Sequence, residues 1–250
     1  MIASAYDWEM AFAALGALGA LAAIGVAYTI PRSSGEEPVP LREQLRLLAK
    51  PRIAAALAIT FFWIGGYSIV YTFISPFLLE ETRMSEDAVS AGLFAFGIAS
   101  LIGSKLGGFS TDRWGVSHTL LVGMLLHAAT LLLLSLAAGA QGFVFALLML
   151  WAFSAWSSGP TQQYYLLTLA PGVSGIMLSL NTSTLQFAMA AGAVVGGAVV
   201  ERASLGAISW IGAAAVAAAA LIAAVSLAMN RSSTRIAREE GLARIVPEAH

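Results

Sequence analysis

Residues 114–200 run for 87 positions without one Asp, Glu, Lys or Arg. Soluble domains keep about a quarter of their residues charged, so a run of this length belongs in a bilayer. About 20 apolar residues carry a helix across about 30 Å of hydrocarbon. The run therefore holds three crossings, separated by the turn signals Ala138-Gly139-Ala140-Gln141-Gly142 and Ala170-Pro171-Gly172. Outside it, residues 10–31, 53–79, 88–111 (interrupted by Lys105) and 203–230 are also apolar, which makes seven. Strands of a membrane barrel would be about 10 residues of alternating polarity, whereas these segments are long and apolar on every face. The predicted class is an all-α polytopic membrane bundle of seven transmembrane helices. Its divisions are a first helix at 1–31, a loop at 32–52, a six-helix bundle at 53–230 and a tail at 231–250.

A secretory signal is the rival reading of the first segment. Its flank carries Asp7 and Glu9 in place of basic residues, and it ends Tyr28-Thr29-Ile30-Pro31 without a small-x-small cleavage site, so it reads as a retained helix. The absence of cysteine removes disulfide and thiol chemistry. No cofactor, metal or enzymatic activity is expected, and the net charge of −1 points to no particular partner. The expected partners are the lipid bilayer and a small-molecule substrate, not nucleic acid.

Lys and Arg set orientation, because they concentrate in cytoplasmic loops. On the side of the C-terminus lie Arg32, Arg42, Arg46, Lys50, Arg52, Lys105, Arg113, Arg231, Arg235, Arg238 and Arg244, against Arg83 and Arg202 on the other, a split of eleven to two. The N-terminus is predicted outside and the C-terminus in the cytoplasm of a cell (inner) membrane. In the loop at 32–52, Leu41, Leu45 and Leu48 fall at helical spacing, which fits either a short helix on the inner surface or a solvated linker.

Several motifs stand out. Gly107-Gly108-Phe109-Ser110-Thr111-Asp112-Arg113-Trp114-Gly115 lies between the third and fourth helices on the predicted cytoplasmic side. Tyr71-Thr72-Phe73-Ile74-Ser75-Pro76-Phe77-Leu78 ends the second helix, and Phe96-Gly97-Ile98-Ala99-Ser100-Leu101-Ile102-Gly103 precedes the glycine motif. Gly159-Pro160-Thr161-Gln162-Gln163, Leu169-Ala170-Pro171, Ser179-Leu180-Asn181, Ala191-Gly192 and Gly196-Gly197 complete the set. Together they resemble the major facilitator superfamily, in particular its arabinose-efflux-permease type of drug and sugar exporters.

The resemblance covers the sixth helix, the central loop and helices seven to twelve of a twelve-helix family, so the fold it implies is the C-terminal half. It departs from the family pattern at Ser110, where Leu is usual, and at Val116 and Ser117, where basic residues follow. It implies that Gly108, Asp112, Arg113 and Gly115 form a conformational loop motif. A transporter of this kind binds between two halves near the bilayer midplane, which directs attention to polar and aromatic residues inside helices. Trp63, Tyr67 and Tyr71 fall four apart on one helix face; Gln162 and Gln163 follow the helix-interrupting Pro160; Asn181 and Gln186 place amides in another helix. These seven are the substrate-pocket candidates, against the plainer reading of helix packing. His127, mid-helix, is the proton-coupling candidate, against a buried core imidazole. Gly103 with Gly107, and Gly192 with Gly196, are read as close-packing pairs.

The function implied is half of a proton-coupled exporter of drugs, sugars or nucleoside-like solutes, truncated and not competent alone. It would work with a separate N-terminal half or a second copy. The alternative is a non-transporting assembly subunit or pseudogene product. A retinal protein needs a Schiff-base Lys in its last helix, and residues 203–230 contain none. Ser157, Ser158 and His127 lack the Gly-x-Ser context of an intramembrane serine protease.

Overall fold

The computed structural model describes residues 8–29, 40, 46–137 and 139–245, with residues 8, 9, 11 and 230–245 in backbone only. It forms two compact units, 1–40 and 41–250. The first contributes one helix, α1 (Trp8–Thr29). The second carries α2 (Pro51–Tyr71), α3 (Glu86–Trp114), α4 (Val116–Leu136), α5 (Gln141–Leu169), α6 (Ser174–Arg202) and α7 (Ala207–Ile245). Among the described residues seven helices are long and apolar enough to cross a membrane, as the sequence predicts.

Local chemistry sets the helix ends. Pro51 opens α2, where its missing N–H is not needed. Ser85 caps α3, its hydroxyl accepting the Ala88 amide at 3.3 Å, with Glu86 and Asp87 in the first turn where the helix dipole favours anions. Gly115 terminates α3 at φ 82°, a left-handed conformation that a Cβ would strain. Pro160 sits inside α5, and the helix runs through it without a break to Leu169. Between α2 and α3 the chain makes a short turn, Ile74–Pro76, and a π-helical turn, Phe77–Glu81. The expected surface helix with Leu41, Leu45 and Leu48 falls largely outside the described residues. The backbone of α7 continues helically to Ile245, past position 231 where the sequence reading starts a tail.

The bundle of residues 41–250 is a series in which each helix packs on the next: α6 on α2, α2 on α7, α7 on α4, α4 on α5, and α5 on α3. Glycine makes these contacts close. A Cβ on Gly103 or Gly107 would collide with the backbone of Phe153 or Ser157 in α5. One on Gly192 would stand 2.6 Å from the Gly65 carbonyl oxygen, and one on Gly196 2.8 Å from that of Ile69, both in α2. Both pairs predicted for packing therefore sit in helix contacts. The outer faces stay apolar, with Phe94, Leu101 and Val194 each 74% exposed, a surface suited to hydrocarbon and not to water. α3 and α6, at the two ends of the series, are the least buried of the six.

Candidate substrate cavity

Residues four apart on a helix share a face, and Trp63, Tyr67 and Tyr71 of α2 form one wall of a cavity of about 240 Å³. α5 supplies Trp156, Gly159, Gln162 and Gln163; α6 supplies Asn181, Leu185 and Met189. No lining residue is charged. The Tyr67 and Tyr71 rings stack with centroids 4.9 Å apart, and Trp156 meets Tyr67 edge-on at 6.3 Å. Phe96 and Trp151, themselves edge-to-face at 5.1 Å, back the tyrosines. The wall is thus a supported aromatic platform, able to stack a flat or apolar solute face.

Beside it lies an amide network. Gln162 Nε2 donates to the Ala56 carbonyl at 2.7 Å and to Thr60 Oγ1 at 3.1 Å, and Thr60 Oγ1 donates to Asn181 Oδ1 at 2.9 Å. The three side chains, from α5, α2 and α6, are all buried. Two buried polar atoms of cavity-lining side chains have no partner among the described residues, Gln162 Oε1 and Trp63 Nε1. Both atoms are enclosed, and an unmade buried hydrogen bond costs about 1–3 kcal/mol.

His127 stands behind this wall. Its Nε2 accepts the Trp151 indole N–H at 2.8 Å, and its Nδ1 has no partner among the described residues. A nitrogen that accepts carries no proton, so the neutral ring holds its hydrogen on Nδ1. The imidazole is fully buried and does not line the cavity; the Tyr67 ring, which does, lies 6.3 Å away between centroids.

Comparison with known proteins identifies the bundle. The Major Facilitator Superfamily profile matches residues 1–172 and 56–247. The chain belongs to the major facilitator superfamily. It is 51% identical over 213 residues to YbcL of Bacillus subtilis (strain 168), described as an uncharacterized MFS-type transporter, covering 85% of this chain and 55% of that protein. It is 28% identical to the inner membrane transport protein YdhP of Escherichia coli (strain K12), over 78% of this chain and 50% of YdhP. It is 25% identical to a probable sugar efflux transporter of Helicobacter pylori (strain ATCC 700392 / 26695), over 86% and 54%. A crystal structure of a bacterial homologue of the iron transporter ferroportin, outward-facing, aligns with TM-score 0.59 over 82% of this chain and 52% of that one. At 15% identity that is a likeness of fold alone. The chain spans about half the length of the curated relatives it matches.

Six of the seven residues that the sequence singles out for a pocket in this major facilitator chain meet in one cavity: Trp63, Tyr67, Tyr71, Gln162, Gln163 and Asn181. Gln186 does not. Asn181, Leu185 and Met189 repeat every four residues along α6, and Gln186 falls off that stripe and is exposed. Sequence reasoning missed Thr60 and Trp156. Each extends a stripe already visible, Thr60 one turn before Trp63 and Trp156 two turns before Gln163.

The motif expected as a loop is helical. Gly107 to Trp114 form the last turns of α3, and only Gly115 breaks the helix. Asp112 and Arg113 are exposed there, and Gly108 has nothing within 4 Å of its would-be Cβ. A helix propagates through glycine when its neighbours hold it, and Gly107 is held against Ser157 while Thr111 Oγ1 meets Thr161 Oγ1 at 2.7 Å.

Proposed function

We propose that this chain is the C-terminal half-bundle of a small-solute exporter and that its cavity is half of the substrate site. The observation that carries the reading is the meeting of aromatic and amide side chains from α2, α5 and α6 in one uncharged cavity. Alternating access needs two bundles rocking about a shared site. The least-buried helices, α3 and α6, are the surfaces for the second bundle, whether that comes from the same polypeptide, a separate N-terminal half or a second copy. Efflux is supported by the name of the Helicobacter relative, and proton coupling by the resemblance to proton-driven exporters. Asp112 and Arg113 would steady one conformation from the cytoplasmic end.

Coexpression with a matching N-terminal six-helix half is expected to produce export of a sugar or drug panel that neither part gives alone. In that assembly Tyr67→Ala or Asn181→Ala should change the order of preferred substrates by about tenfold, the weight of one good contact of about 1.4 kcal/mol, with expression unchanged. Equal loss of all transport together with low expression would assign these residues to packing instead.

The same reading sets the N-terminus outside and the C-terminus in the cytoplasm, on the eleven-to-two distribution of basic residues. Thr82 is buried and unsuited to labelling. Asp87 and His118, at opposite ends of α3 and α4, are exposed. In intact cells Asp87→Cys should react with an impermeant maleimide and His118→Cys should not. The reverse pattern would invert the bundle.

A further inference from the structure

We propose that the crevice between α3 and α4 is a binding site for one anionic phospholipid, which lays an acyl chain along Leu106, Val122 and Leu126 and sets its phosphate at the start of α4. The crevice shares no lining residue with the substrate cavity, and the inference stands apart from the reading of that cavity.

Helix packing leaves the crevice open. α3 and α4 barely touch one another; each rests on α5, which contributes Phe153 to the lining. The gap between them holds about 170 Å³. Its walls include Leu106 and Val122, 43% and 49% exposed, so it meets the hydrocarbon around the bundle. The two helices join at Gly115, and each lines the gap with a row of residues four apart, which share a face. Away from Gly115 the rows run Trp114, Ser110, Leu106 on α3 and His118, Val122, Leu126 on α4. Both go from polar or amphipathic at the mouth to apolar at depth, the order of headgroup and acyl chain in a phospholipid.

The mouth suits a phosphate. α4 is 21 residues long, and its first turn has no side-chain cap and no acidic residue, so its free N–H groups and the positive end of its dipole are left for an anion. Thr119, in the next turn and 7% exposed, lines the crevice with a hydroxyl that has no partner among the described residues, so packing has not satisfied this end by itself. His118 is exposed, its ring edge-on to Trp114 at 6.2 Å between centroids. Tryptophan favours headgroup level in a bilayer. Arg113, three residues after Ser110 and exposed, flanks the α3 row. Asp112 and Lys105 stand three or four residues from no member of that row and fall on another side of the helix. The mouth thus gathers one basic side chain and no acid, a basic pocket between membrane helices of the kind that takes an anionic headgroup. A choline headgroup would add a positive charge there that no acid in the crevice answers. A free phosphate would leave the apolar rows unfilled.

The test counts bound lipid by native mass spectrometry. The 250-residue chain in maltoside micelles is titrated with dioleoyl phosphatidylglycerol, with dioleoyl phosphatidylcholine and with glycerol 3-phosphate. One phosphatidylglycerol per chain is expected, held about fivefold more tightly than phosphatidylcholine, the worth of one basic side chain at the membrane surface. Arg113→Gln should bring the preference to within about twofold, and Lys105→Gln, which removes the same charge, should leave it alone. Val122→Trp and Leu106→Trp, both at exposed positions, should fill the crevice and weaken both lipids by about fivefold or more, with a wild-type size-exclusion profile. A wild type without preference, or a loss in Lys105→Gln equal to that in Arg113→Gln, would mean annular lipid only and overturn the inference. Unchanged lipid binding in both tryptophan variants overturns it too. Displacement of phosphatidylglycerol by an equal concentration of glycerol 3-phosphate would assign the mouth to a soluble anion instead. None of these outcomes touches the substrate cavity.

Discussion

Gly107→Leu should destabilise the folded bundle by about 3 kcal/mol or more, whereas Gly108→Leu, one residue further on, should leave it intact. The two glycines share a helix turn and differ only in what they face. A Cβ on Gly107 runs into the Ser157 backbone of α5, and one on Gly108 meets nothing within 4 Å. Overpacking against movable side chains costs about 1–3 kcal/mol. Here the obstacle is main chain, so relief requires α3 and α5 to part, and the penalty falls at or above the top of that range. Parting them also breaks the hydrogen bond between the Thr111 and Thr161 hydroxyls. Against a total stability of about 5–15 kcal/mol, this is enough to deplete folded protein. Size-exclusion profiles and melting curves in mild detergent read it directly. Equal behaviour of the two variants would refute the close α3–α5 packing.

The second large effect is expected in liposomes. In the sequence all fourteen acidic residues fall outside the seven apolar segments, and His127 is held behind the cavity wall by Trp151. A proton-driven carrier needs a titratable group at membrane depth that faces the pathway. The 250-residue chain alone is therefore expected to show no proton-linked flux. With a matching N-terminal half supplied, coupled export should appear and should persist in His127→Gln, whose side chain can still accept the Trp151 indole hydrogen. Proton-linked flux from this chain by itself, lost in His127→Ala, would return the coupling role to the histidine and overturn the need for a second half.

The sequence by itself determined the class, the number of spans and the family, because each rests on local quantities. Apolar length decides whether a segment crosses the bilayer, and helical period decides which residues share a face. The stripe Trp63, Tyr67, Tyr71 was therefore legible before any neighbour was known, as were the small-residue pairs at Gly103 with Gly107 and Gly192 with Gly196. Only the tertiary structure decided which helix each face meets. It placed Gln186 off the cavity and Thr60 between the Gln162 and Asn181 amides behind the lining, and it drew the glycine motif at 107–114 into α3 as helix. Thr60 and Asn181 are 121 residues apart in sequence, and Gln162 is 102 from Thr60. No periodicity spans such separations. Which way the Gln162 amide points is fixed by a single carbonyl at Ala56 that packing brings within 2.7 Å, because a hydrogen bond depends on ångström-scale approach between helices and hydropathy does not.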